Sequence, residues 1–230
     1  MCICLQHAND PIQTIGNYSL ASKSTPEVGN LGTAIYVHNK ITYDNVAIND
    51  TLFQITAIRL HLHDNTIITL CNLYNQPNQN YNLDQLPNLL SNLQQPILIV
   101  GDFNAHHQLW DINTQNADQA GMQIEQMIIN NNYCCLNESE VATYFSKTHG
   151  VLSSVDLSIC SAPIVDYFEW NVTDDLYTSD HYPIIISCLN EVPAPQLPKY
   201  NFSKADWNIY DLHTRAIRPF EPLEDHDEKK

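Results

Sequence analysis

The sequence predicts a layered α/β domain, and three observations carry that reading. Ile97-Leu98-Ile99-Val100 is a short, wholly apolar run of the kind that forms a buried strand. Just before it, Leu86, Leu89, Leu90 and Leu93 recur at helical spacing. Pro87 suits the first turn of a helix and little beyond it, so the helix starts near Leu86 and feeds the strand. Residues 52–62 and 66–74 alternate well enough to pair as antiparallel strands, with His63-Asp64-Asn65 as their turn.

The remaining elements follow in order. Residues 1–8 read as a strand entering a loop, and residues 30–37 as a glycine-led strand. The strand of 66–74 runs out through Asn72-Leu73-Tyr74-Asn75-Gln76-Pro77. Gly101 ends the apolar run at Val100 and gives the backbone a sharp exit. Asp102 and Asn104 are then the first loop residues at the carboxyl end of a strand, where open α/β sheets place their ligands. They share a parity, so in an extended segment both point the same way. Ile124, Met127 and Ile128 stripe a helix over about 118–130, which Asn131-Asn132 end. Strands follow at 133–136, at Thr143-Tyr144-Phe145 and at Ser154-Val155-Asp156-Leu157-Ser158-Ile159, the last two separated by a loop containing Gly150. A carboxylate inside an apolar strand is costly unless paired, which makes Asp156 more informative than a surface aspartate. Residues 167–172 form another strand. Thr178-Ser179-Asp180-His181-Tyr182-Pro183 is the last loop, and Pro183 pins it before the strand Ile184-Ile185-Ile186. From Val192 the composition changes: Pro193, Pro195 and Pro198 mark a linker, and 221–230 is a charged end of disordered type. The chain therefore divides into a domain of 1–191 and a linker with an acidic tail of 192–230.

The 230 residues and 43% hydrophobic content suit one large domain with a tail. No apolar run approaches a membrane span, and Met1-Cys2-Ile3-Cys4-Leu5-Gln6 lacks the basic start and long apolar run of a secretory leader. Seven cysteines without a C-x-x-C pair fit reduced thiols in an intracellular protein rather than a disulfide framework or a zinc site. The N-x-S/T triplets at Asn49 and Asn171 read as accidents of an asparagine-rich chain. The net charge of −16 runs against a protein that grips phosphates, and Lys229-Lys230 is the only basic run. Affinity for nucleic acid is thus expected to be weak unless divalent cations offset the repulsion.

Taken singly, each loop Asp or Asn reads as a turn residue. As an ordered set at strand ends they point to a site. Gly101-Asp102-Phe103-Asn104-Ala105-His106 with Ser179-Asp180-His181 resembles the endonuclease/exonuclease/phosphatase superfamily. More narrowly, the chain resembles the apurinic-type endonuclease domain of jockey-like non-LTR retrotransposons over about its first five sixths. The resemblance implies an α/β sandwich of two mainly antiparallel sheets flanked by helices. It implies Mg²⁺-dependent hydrolysis of phosphodiesters, with Mn²⁺ as an alternative ion, nicking target DNA in the nucleus for retrotransposition. A full-length element would add a reverse transcriptase; residues 201–210 resemble the connecting segment, and no reverse-transcriptase sequence follows. His181, charged beside Asp156, would stabilise the pentacovalent transition state, and Asp156 would fix its tautomer. Asp102 would accept the proton of water, Asn104 would orient that water, and Tyr74 would donate to a phosphate oxygen. Asp180 would hold the metal.

Two departures bear on activity. His7 stands where the family has a metal-binding glutamate, and imidazole suits Mn²⁺ or Zn²⁺ better than Mg²⁺. The family's opening strand, with an active-site asparagine, would precede residue 1. The expectation is a recognisable endonuclease fold with little or no activity as written. Two other readings stand beside it: a phosphodiesterase of the same superfamily acting on RNA or phospholipid, and a degenerate, non-catalytic interaction module.

Overall fold

The structure is a computed structural model that describes residues 2–5 (backbone only), 13–24, 32–48, 53–62, 66–77 and 83–189. The expectations for His7, for the turn at 63–65 and for the linker and tail of 192–230 lie outside the described residues.

Four strands make a small antiparallel sheet: β1 (Cys2–Leu5), β2 (Thr14–Ile15), β3 (Tyr18–Lys23) and β4 (Ala34–His38), in the order β1-β4-β3-β2. The central sheet follows. It begins with β5 (Tyr43–Val46), β6 (Gln54–His61) and β7 (Ile67–Tyr74). Helix α1 (Leu86–Ser91), with its proline in the first turn, crosses to β8 (Ile97–Asp102). Helix α2 (Gln119–Asn130) leads to β9 (Tyr133–Cys135). The hairpin β10 (Tyr144–Ser146) and β11 (Val151–Ser153) precedes β12 (Asp156–Ser161), and the pair β13 (Phe168–Val172) and β14 (Ile184–Cys188) closes the domain. The central sheet has the order β5-β6-β7-β8-β12-β9 and is antiparallel except between β7 and β8.

Alternation along the strands sends side chains to two faces. Ile55, Ala57, Cys71, Leu73, Ile97, Ile99, Leu157 and Ile159 pack on one face with Leu86, Leu90, Ile124, Met127 and Ile128 of the helices. Ile58, Ile68, Leu70, Leu98 and Cys160 pack on the other with Ile35 and Val37 of β4, flanked by Ala21, Phe168 and Ile186. Each fully buried aliphatic side chain contributes roughly 1.5–3 kcal/mol. The central sheet is therefore fastened on both faces, and the expected α/β sandwich is the architecture found. Burial pushes the Cys71 thiol up to about 12, so it sits in the core as a small apolar group.

Several local expectations change. β8 continues through Gly101 to Asp102, so the glycine lies inside the strand. Its φ is +143°, and a Cβ there would lie 1.8 Å from the Leu73 carbonyl oxygen. The close approach of β7 demands glycine; an exit from the strand does not. Asn104 has φ +44°, so the segment is not extended and the shared parity of Asp102 and Asn104 does not apply. The β2–β3 hairpin, β5 and β11 carry too little contrast between buried and exposed positions to be read from sequence.

Replacing Gly101 with Ala should destabilise the domain by about 2 kcal/mol or more, because the Cβ meets main chain that cannot move aside. A denaturant midpoint equal to that of the parent would show that β7 and β8 are not so closely apposed.

Candidate active site

On the face of the central sheet that meets the small sheet, residue type changes at one common end. The ladder places Ile58, Leu70, Leu98 and Cys160 in one transverse row. The next row is Thr56, Asn72, Val100 and Ser158, and the last is Gln54, Tyr74, Asp102 and Asp156. Four neighbouring strands thus pass from apolar to polar together. The polar rows are tied to the covering strands: Asn72 Nδ2 donates to the Ala34 carbonyl at 3.2 Å, and Trp170 Nε1 donates to Ser158 Oγ at 3.1 Å. The hydroxyls of Ser22 and Thr56 also bond to each other.

Asp102 is buried, and its Oδ1 accepts from the amide of Asn104 at 3.0 Å. That bond closes the turn that sets Asn104 in its left-handed conformation. Asn104 Nδ2 donates to the Asn75 carbonyl at 2.9 Å. Asn75 returns two bonds, its amide to the Asp102 carbonyl at 2.8 Å and its Nδ2 to the Phe103 carbonyl at 2.7 Å. The ends of β7 and β8 are therefore laced together by amides. Further along, Trp110 is fully buried and its Nε1 donates to the Ala105 carbonyl at 3.0 Å. Asp118 caps α2, accepting from Gly121 at 2.6 Å and from the His106 amide at 3.2 Å, which anchors the loop to the helix.

Asp156 begins β12, and His181 arrives from the loop before β14. His181 Nδ1 lies 2.8 Å from Asp156 Oδ2, with side-chain exposures of 27% and 10%. Burial alone would lower the His181 imidazolium, but the bond and charge of Asp156 outweigh it. The charges of Asp102 and Asp180 add to that effect, and the group lies above the ordinary imidazole value. For Asp156, burial pushes the carboxyl up, while His181 pulls in the other direction. The main chain of Asp156 is held as well: Thr143 Oγ1 accepts from its amide at 3.0 Å, and Asn137 Nδ2 donates to its carbonyl at 2.8 Å.

The expected residues come together as follows. Register aligns Tyr74, Asp102 and Asp156. A hydrogen bond adds His181, and a turn bond adds Asn104. Asp180 is exposed on the loop, next to His181, and its charge acts on that ring. Sequence reasoning did not single out Asn75, Asn137 or Thr143 as contributors, nor Tyr144, whose ring lies 4.8 Å from that of His181. Their bonds run to main chain or across long sequence separations, and no local pattern announces them. Among the described residues, no group of three or more His, Cys, Asp or Glu side chains stands ready to enclose a metal. No helix among them is long and apolar enough to cross a membrane.

A family model described as Endonuclease-reverse transcriptase matches residues 68–185, the segment that carries Tyr74, Asp102, Asn104, Asp156, Asp180 and His181. No curated protein matches the chain. Among solved structures, the endonuclease domain of TRAS1, a telomere-specific non-LTR retrotransposon, is similar with a TM-score of 0.63 and 21% identity, over 76% of this chain and 80% of that one. The AP endonuclease LMAP from Leishmania major is similar at 0.62 and 13%, over 83% and 78%. The catalytic domain of Xenopus laevis APE2 is similar at 0.57 and 14%, over 84% and 86%. These likenesses establish a shared fold. The matched segment spans a little over half of the chain and contains the transverse row together with its histidine; the protein belongs to the Endonuclease-reverse transcriptase family.

Proposed function

We propose that this domain hydrolyses phosphodiester bonds in DNA with the help of a divalent cation, nicking target DNA in the nucleus as part of a retrotransposon's insertion. The observation that carries the reading is the Asp156–His181 pair standing in register beside buried Asp102. It sets a proton donor, held by Asp156 of β12, beside a proton acceptor, Asp102 of the adjoining β8, at one end of the sheet.

The donor set fits a hard cation. Its charged members are carboxylates, and Mg²⁺ characteristically keeps several waters while taking only one or two carboxylates and substrate phosphates. Asp180 would hold it; His7, where the family has a glutamate, would be a poorer ligand for Mg²⁺ than for Mn²⁺. The ion, when bound, would neutralise charge building on the phosphoryl oxygens.

Protein groups do the rest. Asp156 keeps a proton on His181 and fixes the ring, and Nε2–H then donates to a phosphoryl oxygen as negative charge develops there. Asp102 accepts the proton of the attacking water. Asn104, its main-chain amide held by Asp102 and its side-chain amide held by the Asn75 carbonyl, orients that water without adding charge. Tyr74 donates to a further phosphate oxygen. The family's pairing of endonuclease with reverse transcriptase supports DNA as substrate over RNA or phospholipid.

The purified chain should nick supercoiled plasmid slowly, and faster with Mn²⁺ than with Mg²⁺ because His7 replaces a carboxylate. Asp102→Ala should lower the rate by about 10²-fold or more, and His7→Glu should raise the rate in Mg²⁺. Cleavage of phosphoinositides or RNA with plasmid left intact would overturn the DNA reading. No cleavage of any substrate, even in His7→Glu, would favour the interaction module.

Asp156→Asn keeps the shape and removes the charge, leaving burial as the main influence on the ring. His181 should then titrate at lower pH than in the parent, as followed by NMR of its ring protons. An unchanged or higher titration point would mean that Asp156 does not hold the proton.

A further inference from the structure

We infer that Tyr144 is a positioning residue for His181, acting through its aromatic ring and not through its hydroxyl. The inference rests on the phosphodiesterase reading for its function, and on geometry of its own for the contact. The two rings lie 4.8 Å apart with their planes at 56°. The same two residues form an isolated antiparallel bridge. On either side the main chains are bonded, Phe145 N to the Asp180 carbonyl at 2.8 Å and Tyr182 N to the Thr143 carbonyl at 2.7 Å. The hydroxyl of Tyr144 has no hydrogen-bond partner among the described residues.

The segment 143–145 grips both halves of the pair. Thr143 Oγ1 accepts from the amides of Val155 at 3.2 Å and Asp156 at 3.0 Å, fixing the carboxylate's end of β12. Tyr144 then meets the imidazole that this carboxylate holds. The loop that delivers His181 needs such a stop. Tyr177 and Thr178 both have positive φ, +45° and +74°, a conformation that a β-branched residue adopts only under constraint. The Ser179 hydroxyl accepts from the His181 amide at 3.1 Å, which fixes the backbone but leaves both side-chain torsions to be set elsewhere. Asp156 fixes Nδ1 of the ring at 2.8 Å, and the Tyr144 ring lies against the same imidazole. The tyrosine ring restricts rotation of the imidazole and sets an aromatic π system beside it. Nε2 is thereby aimed in one direction.

Three proteins test this: the parent, Tyr144→Phe and Tyr144→Leu. In plasmid nicking with Mn²⁺, Tyr144→Phe should match the parent within about twofold. Tyr144→Leu should lose about 10- to 100-fold in kcat with KM nearly unchanged, the cost of a misaimed group. In proton NMR, the Nδ1–H resonance of His181 should be sharp and protected from exchange in the parent and in Tyr144→Phe, and broadened or lost in Tyr144→Leu. If Tyr144→Leu does not fold, Tyr144→Met keeps the bulk and takes its place. Parental kcat in Tyr144→Leu, or equal damage in Tyr144→Phe, overturns the inference while leaving the nuclease reading intact. If neither the parent nor His7→Glu cuts any substrate, the nuclease reading fails. The NMR comparison then decides the inference alone: a protected Nδ1–H that survives in Tyr144→Leu overturns it, and its selective loss supports it.

Discussion

Asp102 and Asp156 sit directly opposite each other on neighbouring antiparallel strands, both almost wholly buried. Like charges in that relation destabilise a sheet even at the surface, and burial makes the arrangement costlier. The surroundings of the two carboxylates answer this one difficulty. Asp102 is given the amide of Asn104. Asp156 is given His181, whose raised proton affinity is the same repulsion seen from the imidazole's side. The loop of 176–183 must pass over β12 to deliver that ring, and the hairpin β10–β11 must stand where its strand can bond that loop. An electrostatic conflict at the centre thus dictates the placement of two peripheral elements.

The conflict is sustained because the rest of the sheet is strongly held. The same four strands that are polar at this end of the sheet are apolar further from it, and those rows are packed between the two helices and the small sheet. Registration matters more than strength here. Asp102 meets both Tyr74 and Asp156 because β8 pairs parallel with β7 and antiparallel with β12 without a slip. A one-residue slip would send every side chain of β8 to the opposite face. Gly101 helps to fix that register, since only a residue without a Cβ can lie against the Leu73 carbonyl. The motif glycine therefore governs the site through strand pairing.

Much of this was legible before any coordinates. Ile97–Val100, the leucines of α1 and the stripe Ile124, Met127 and Ile128 were readable because each occupies an element with one clear buried face. Asp156 was readable because a carboxylate in an apolar strand requires a partner. His181 was legible as that partner only through the family resemblance, for 25 residues separate the two and spacing alone offers no link. Thr143, Asn75 and Asn137 escaped because their side chains serve main-chain groups, which any sequence supplies equally. Tyr144 escaped because a tyrosine in a short strand is ordinary until a ring from elsewhere in the chain is laid beside it. Asn104 was found, but its direction was misjudged: the turn bond to Asp102 overrides strand parity.

The acidic charge, which opposes long-range attraction of a polyanion, agrees with how the site is assembled. The basic side chains among the described residues are Lys23, Lys40, Arg59 and Lys147, and Arg59 is committed to Gln94 at 2.9 Å and Asp44 at 3.9 Å. Such a surface cannot draw nucleic acid by its long-range field. The polar end of the sheet is built accordingly from neutral amides: Asn72, Asn75, Asn104 and Asn137 supply hydrogen bonds where lysine or arginine would otherwise stand. Amides bond carbonyls and phosphate oxygens without a net charge, so they add nothing to a site whose two carboxylates already strain it. Basic residues in the same places would pair with Asp102 and Asp156 and release the constraint that holds the proton on His181. For a polyanionic substrate, attraction is then confined to that imidazolium and to whatever cation the carboxylates hold. On the proposed phosphodiesterase reading, recognition and chemistry would then be drawn to the same few ångströms.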